Sequence, residues 1–200
     1  MKISSYAIDS TPNLSDKVIG TDVDNMNATK NFTIGQIADL VNSSLVATQV
    51  LNGISTVTQA PSSLNSPIVV SFGPAQGTLQ DDVMIDAGGT IVFNTAGLYF
   101  INGYGNVERQ GSSGGVAVLL FRLTLNGTQV STTKGFHLDT PSLPTPYEVT
   151  LPFQANAGDM IRFEIMRDSS GTNAGGIYPH TNLGGWPNVP SSQIQIWKLN

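Results

Sequence analysis

From Ile54 to Leu199 the chain offers strand after strand with no helical period between them. The segments Ile54–Gln59, Ile68–Phe72, Val83–Asp86, Thr90–Asn94, Leu98–Val107, Val116–Asn126, Thr128–Thr132, Tyr147–Phe153, Met160–Arg167 and Gln193–Leu199 are each short, rich in β-branched or aromatic residues, and bounded by turn formers. Strand signals at this density with no helix between them indicate a sandwich or jelly roll. Asn126-Gly127, between two such runs, is the strongest hairpin signal, because both turn positions need positive φ.

Composition agrees. An apolar share of 40% supports a real core, while the charged share is 12%, against a usual value of roughly 25%. Gly, Ser, Thr, Asn and Gln fill the difference. A net charge of −5 with scattered lysines and arginines gives no basic face for nucleic acid. The chain has 0 cysteines, so disulfides, zinc knuckles and thiol nucleophiles are excluded. "MKISSYAIDS" lacks the apolar run of a secretion signal, and no stretch approaches the roughly 18 apolar residues that span a membrane. The expectation is cytoplasmic synthesis without membrane insertion.

Residues 1–32 read as an extended arm of short apolar steps between turn formers, unable to bury a core alone. A short helix and linker follow over 33–53. Thr33 and Gln36 form a capping-box pattern, and Ile34, Ile37, Val41 and Leu45 recur at helical spacing. The stripe is narrow and the helix marginal in water, so it needs a packing partner. The sandwich is expected over 54–200.

Faces sort the strands. Tyr147–Phe153 and Met160–Arg167 alternate apolar with polar and are expected to share an outer sheet with one wet face. Leu98–Val107 and the front of Val116–Leu125 do not alternate and are expected in another sheet, covered on both sides. The last strand, "QIQIWKL", sets Ile194 and Ile196 against Gln193, Gln195, Trp197 and Leu199. A monomer does not leave such a surface in water, and self-association would cover it.

The succession "AGLYFINGYGNV", "VLLFRLTLNGTQV", "LPFQANAGDMIRFEI" and "SQIQIWKL" resembles the tumour-necrosis-factor-like jelly roll, the fold of complement-type globular heads, over about residues 83–199. The fold expected is therefore all-β, a TNF-like jelly-roll β-sandwich preceded by an extended N-terminal arm and one short helix. The resemblance implies a homotrimer packed through inner sheets. Leu98, Phe100, Asn102 and Tyr104, with Gln193, Gln195, Trp197 and Leu199, would face the threefold axis; Tyr99, Ile101, Ile194 and Ile196 would fill the sandwich. The N-terminal "KISSYAIDSTPNLSDKVIGTDVDNMNATKNFTIGQIADLV" resembles the leader of bacteriophage virion proteins, particularly fibres and appendages. It implies that residues 1–32 fasten the protein to a capsid or other virion protein, through Ile3, Tyr6, Ile8, Leu14, Val18 and Ile19. The chain departs from the animal proteins in lacking a Gly-X-Y stalk and cysteines.

Reactive chemistry is sparse. His137 and His180 are far apart without a carboxylate at ligand spacing, and no catalytic residue, metal ligand or cofactor is nominated. Asp81, Asp82 and Asp86 read as a solvated acidic loop before a calcium site. "GSSGG" lacks the Gly-Lys-Ser/Thr of a phosphate loop, and no carboxylate pair suggests a glycosidase. The long loop Asp168–Ser192 carries Tyr178, His180 and Trp186 among glycines and prolines. Such loops are often functional, and aromatic faces beside amides suit carbohydrate; the competing reading is that these rings pin the loop down. The reading reached is a non-enzymatic, trimeric virion protein, a head fibre or capsid or tail decoration, assembled in a bacterial cytoplasm and meeting host-surface carbohydrate. A free lectin-like module is the alternative, and a polysaccharide depolymerase a more distant one.

Overall fold

The computed structural model describes residues 13–22, 28–44, 47–76, 81–111, 114–180, 184 and 188–199. The chain divides into two compact units, Met1–Val46 with Asn200 and Ala47–Leu199.

In the first unit, β1 (Lys17–Asp22) and β2 (Ala28–Thr33) form an antiparallel hairpin, and α1 (Ile34–Ser44) follows directly. The hairpin lies within the stretch read as an extended arm that buries no core alone. The capping box forms as its chemistry dictates: the Gln36 amide N–H donates to Thr33 Oγ1 at 3.0 Å, and the Thr33 N–H donates to Gln36 Oε1 at 2.9 Å. Two backbone bonds, from Ile34 to the Asp16 carbonyl and from Gly35 to the Leu14 carbonyl (both 2.9 Å), tie the helix start to the turn before β1.

The second unit is a jelly-roll sandwich. Its strands are β3 (Ala47–Ser55), β4 (Ile68–Val69), β5 (Val83–Ile85), β6 (Ile91–Phe93), β7 (Gly97–Arg109), β8 (Ala117–Leu125), β9 (Thr128–Gln129), β10 (Lys134–Leu138), β11 (Thr145–Ala155), β12 (Met160–Arg167), β13 (Gly175–Ile177) and β14 (Ser192–Leu199). One sheet runs β11-β7-β14-β3 with β13 on β7; the other runs β10-β8-β12-β6-β5 with β4 on β12 and β9 on β8. The named pairings within both sheets are antiparallel, and the first and last strands of the sandwich, β3 and β14, lie side by side. The chain passes repeatedly between the layers, from β3 to β4, β6 to β7 to β8, and β10 to β11 to β12 to β13, which is the jelly-roll wrap.

Three expectations are corrected. The residues read as linker before Ile54 include β3, so the sandwich begins at Ala47. Val50 and Leu51 are buried in the core, and the strand is paired with β14. Second, β8 and β11 exchange sheets relative to the sequence reading: β11 pairs with β7, and β8 pairs with β12. β11 alternates because it is the edge of the β7 sheet, where Glu148, Thr150 and Gln154 meet water. Alternation reports a strand's own exposure and not its sheet. Third, the run 168–192 is not one open loop: β13 joins β7, and His180 bridges Val189.

The core lies between the layers. Leu51, Tyr99, Ile101, Ile194 and Ile196 from one sheet meet Phe93, Leu119, Leu123, Ile161, Phe163 and Ile165 from the other, all essentially inaccessible. Phe163 packs edge-on to Phe72 at 5.1 Å, and Tyr147 meets Phe121 at 5.2 Å. The two glycines of "GYG" make room for these rings. A Cβ on Gly103 would sit 3.2 Å from Phe163 Cε1; one on Gly105 would sit 2.8 Å from Tyr147 Cε1 and 2.3 Å from the Ser191 carbonyl oxygen. At the Asn126-Gly127 turn both residues have positive φ (49° and 82°), as the hairpin required. No helix among the described residues is long and apolar enough to cross a membrane.

Candidate functional site

Strand pleating sends Tyr99, Ile101, Gly103 and Gly105 of β7 inward, leaving Leu98, Phe100, Asn102 and Tyr104 on the outward face. β14 does the same with Gln193, Gln195, Trp197 and Leu199. The register makes these eight residues neighbours: Leu199 opposes Leu98, Trp197 opposes Phe100, Gln195 opposes Asn102 and Gln193 opposes Tyr104. A bulge between Ile196 and Trp197 shifts the pairing with β3. Phe100 and Trp197 rings lie 6.4 Å apart. Leu98, Phe100, Tyr104 and Leu199 are 36–40% exposed, a large open apolar share for the middle of a sheet.

β3 and β11 widen the band with Gln49, Asn52 and Ile54 on one side and Glu148, Thr150 and Pro152 on the other. The sequence reading missed these flanks, because 47–53 was taken for linker and β11 for the other sheet. No ionisable carboxylate, lysine or arginine stands among the eight central positions. Burial pushes the Tyr104 phenol above its ordinary range. The side-chain oxygens of Asn52 and Asn102 are shielded from water and accept no hydrogen bond. An unmade bond of that kind costs about 1–3 kcal/mol.

Lys198 lies between Trp197 and Leu199 in sequence and reaches elsewhere, donating to Asp82 Oδ1 at 2.7 Å and Thr95 Oγ1 at 2.9 Å. These contacts hold the Asp82 carboxyl below the usual carboxylate range, Lys198 being the largest cause, and raise Lys198 in turn. Asp86 accepts from the Thr90 N–H at 2.8 Å in a tight turn. Two of the three aspartates considered for calcium are thus engaged by other parts of the fold, and among the described residues no group of three His, Cys, Asp or Glu is placed to hold a metal.

Of the candidate ligand loop, Trp186 lies outside the described residues. Tyr178 donates its N–H to the Asn106 carbonyl at 3.2 Å, and His180 exchanges two backbone bonds with Val189 at 3.0 and 2.9 Å. His180 Nε2 lies 3.4 Å from the buried Glu108 carboxylate, whose other oxygen accepts from Gln110 Nε2 at 3.1 Å. Burial, and next the Glu108 charge, raise the Tyr178 phenol. Both described aromatics of the loop therefore stand at its base, against the end of β7. Among the arm candidates, Ile3, Tyr6 and Ile8 lie outside the described residues. Leu14 is 68% and Ile19 72% exposed, with Val18 less so.

No protein-family model matches the chain, and no curated protein does. Among solved structures it is similar to the globular domain of zebrafish complement 1qA protein, at 12% identity and a TM-score of 0.47, over 76% of this chain and 98% of that one.

Proposed function

We propose that the chain is a trimeric structural protein of a bacteriophage virion, a head fibre or a capsid or tail decoration. Its sandwich projects outward while residues 1–32 fasten to another virion protein. The observation that carries the reading is the uncharged apolar band of Leu98, Phe100, Trp197 and Leu199 on the open face of a sheet whose other face already fills a core. Water is a poor neighbour for that band, and two further copies cover it. The virion role rests on the likeness of the N-terminal leader to phage appendage proteins. Exposed Leu14, Val18 and Ile19 supply apolar docking points on that unit. Three copies of the loop containing Tyr178, His180 and Trp186 would multiply weak contacts with a host-surface glycan.

Incubation of particles with the full chain and with a chain lacking residues 1–32 tests the attachment. The full chain co-sediments with particles and the shortened chain stays soluble and unattached; attachment of the shortened chain refutes the role of the arm. On a glycan array, binding lost with Trp186→Ala and no association with particles would favour the free lectin-like module.

A further inference from the structure

The chain carries three Asn-Gly pairs, Asn52-Gly53, Asn102-Gly103 and Asn126-Gly127. Such a pair is chemically labile, because glycine has no Cβ to shield its backbone nitrogen from the preceding side-chain amide. The fold treats the three differently. Gly53 and Gly103 are buried and paired on both sides, Gly53 with Ile194 and Ala75, Gly103 with Ile194 and Val149. The Asn52 and Asn102 side-chain oxygens are shielded from water. Asn126 and Gly127 are exposed at the hairpin tip, and nothing lies within 4 Å of where a Cβ on Gly127 would sit. The Asn126 amide is nevertheless tied at both ends to the chain entering β12. Its Nδ2 donates to Asp159 Oδ1 at 2.9 Å, and its Oδ1 accepts from the Met160 N–H at 2.9 Å.

We propose that Asn126 is the Asn-Gly site at which the folded protein deamidates, that this clamp meters the rate, and that the product carboxylate at 126 loosens the β8–β9 turn from β12. The inference goes beyond the trimeric reading and does not depend on it. In the reaction the Gly127 N–H gives its proton to solvent base, and the nitrogen bonds to Asn126 Cγ. The Cγ–Nδ2 bond breaks, and Nδ2 leaves as ammonia with a proton taken from water. Water then opens the five-membered imide at either carbonyl, leaving aspartate or isoaspartate; nothing is oxidised or reduced. Ring closure requires Cγ to swing onto the glycine nitrogen. In β3 and β7 the ladder fixes the backbone, and the covered side chains keep base and water away. At the turn, the bonds to Asp159 and Met160 are what resist it. The product loses the first of these bonds, because a carboxylate oxygen replaces the donor. It then faces Asp159, whose carboxyl is held below its usual range first by the Asn156 N–H (2.8 Å) and next by the Asn126 amide. Two like charges there are unfavourable, and salt weakens the effect.

The test holds full-length protein in mildly alkaline buffer, with a parallel sample in urea, and follows both by peptide mapping with isoaspartate counted separately. The folded sample accumulates deamidated peptide at 126, more slowly than the unfolded one, and keeps Asn52 and Asn102 intact; the unfolded sample converts all three. Conversion of Asn52 or Asn102 ahead of Asn126 in folded protein overturns the proposal, as does a folded sample unchanged at 126 while the urea sample converts there. Asp159→Ala frees the amide and speeds conversion at 126 about fivefold, the worth of one hydrogen bond in rate. An unchanged or slower rate overturns the clamp; should that variant fail to fold, equal rates at 126 in folded and unfolded wild type do so. Asn126→Asp reproduces the aspartate product. It melts below wild type, the deficit shrinks in salt, and Asn126→Asp/Asp159→Asn, where an amide again faces a carboxylate, recovers it. A single variant that melts with wild type, or a double variant no better than the single, overturns the loosening of the turn.

Discussion

Gly105→Ala tests whether the "GYG" of β7 exists to admit aromatic rings. Gly105 carries no unusual φ, so an alanine backbone is acceptable there and the cost is purely one of space. Its added Cβ would lie 2.3 Å from the Ser191 carbonyl oxygen, 2.8 Å from Tyr147 Cε1 and 2.9 Å from Tyr147 Oη. Neither neighbour gives way easily. Ser191 is clamped to the Ser55 carbonyl through its N–H at 2.8 Å and its Oγ at 3.0 Å, and Tyr147 is buried against Phe121. Overpacking a rigid site costs typically 1–3 kcal/mol, and a backbone overlap above 1 Å belongs at the top of that range, about 3 kcal/mol. For a unit of this size that lowers Tm by about 6–12 °C. Gly103→Ala is the internal control: its closest neighbour is a side-chain atom, Phe163 Cε1 at 3.2 Å, and about 1 kcal/mol is expected. Thermal unfolding followed by circular dichroism gives both values. If Gly105→Ala melts with wild type, or Gly103→Ala is the worse of the two, the space-making argument is wrong.

Trp197→Ala removes the largest ring of the open band, and a hot-spot loss of about 2 kcal/mol raises the dissociation midpoint about thirtyfold in a sedimentation dilution series. Asp82→Asn breaks the contact with Lys198; because both groups are partly solvated, the cost at pH 7 is about 0.5–1 kcal/mol in urea unfolding. The sign in pH follows from the lowered Asp82 pKa: the wild-type advantage is full above about pH 4 and disappears as pH falls through the folded value. An advantage that grows in acid would contradict the contact. Thr33→Ala deletes the acceptor for the Gln36 N–H and costs α1 about 1 kcal/mol, read as a loss of helical signal; an unchanged spectrum means the cap contributes nothing.

What could be read in the sequence was what local chemistry decides. Asn126-Gly127 specified its own turn, and Thr33 with Gln36 specified the helix start, because each set of partners lies within a few residues. In β14 the two faces were legible, since Ile194 and Ile196 stand against Gln193, Gln195 and Trp197; in β7, which is apolar on both sides, which set faces outward came only with the family resemblance. Partners distant along the chain were not legible. Ala47–Gly53 reads as helix end and linker because its apolar residues show neither period cleanly, and pairing with β14 makes it a strand. The flat pattern of Val118 and Leu120 suggested a sheet covered on both faces, yet on the outward side of β8 Leu120 lines an open groove with Met166, Asn65 and Pro67. Asn102 and Gln195 were placed on the outward face, but Asn52 could not be placed beside Gln195 until β3 was.

Sedimentation equilibrium of the full chain bears most directly on the account. Covered by its own copies, the band of β7 and β14 gives three times the 21.1 kDa chain mass at micromolar concentration, falling toward one on dilution and sooner in Trp197→Ala. A single chain mass at every concentration, the same in wild type and variant, would mean that this face meets water and that the trimeric appendage does not exist.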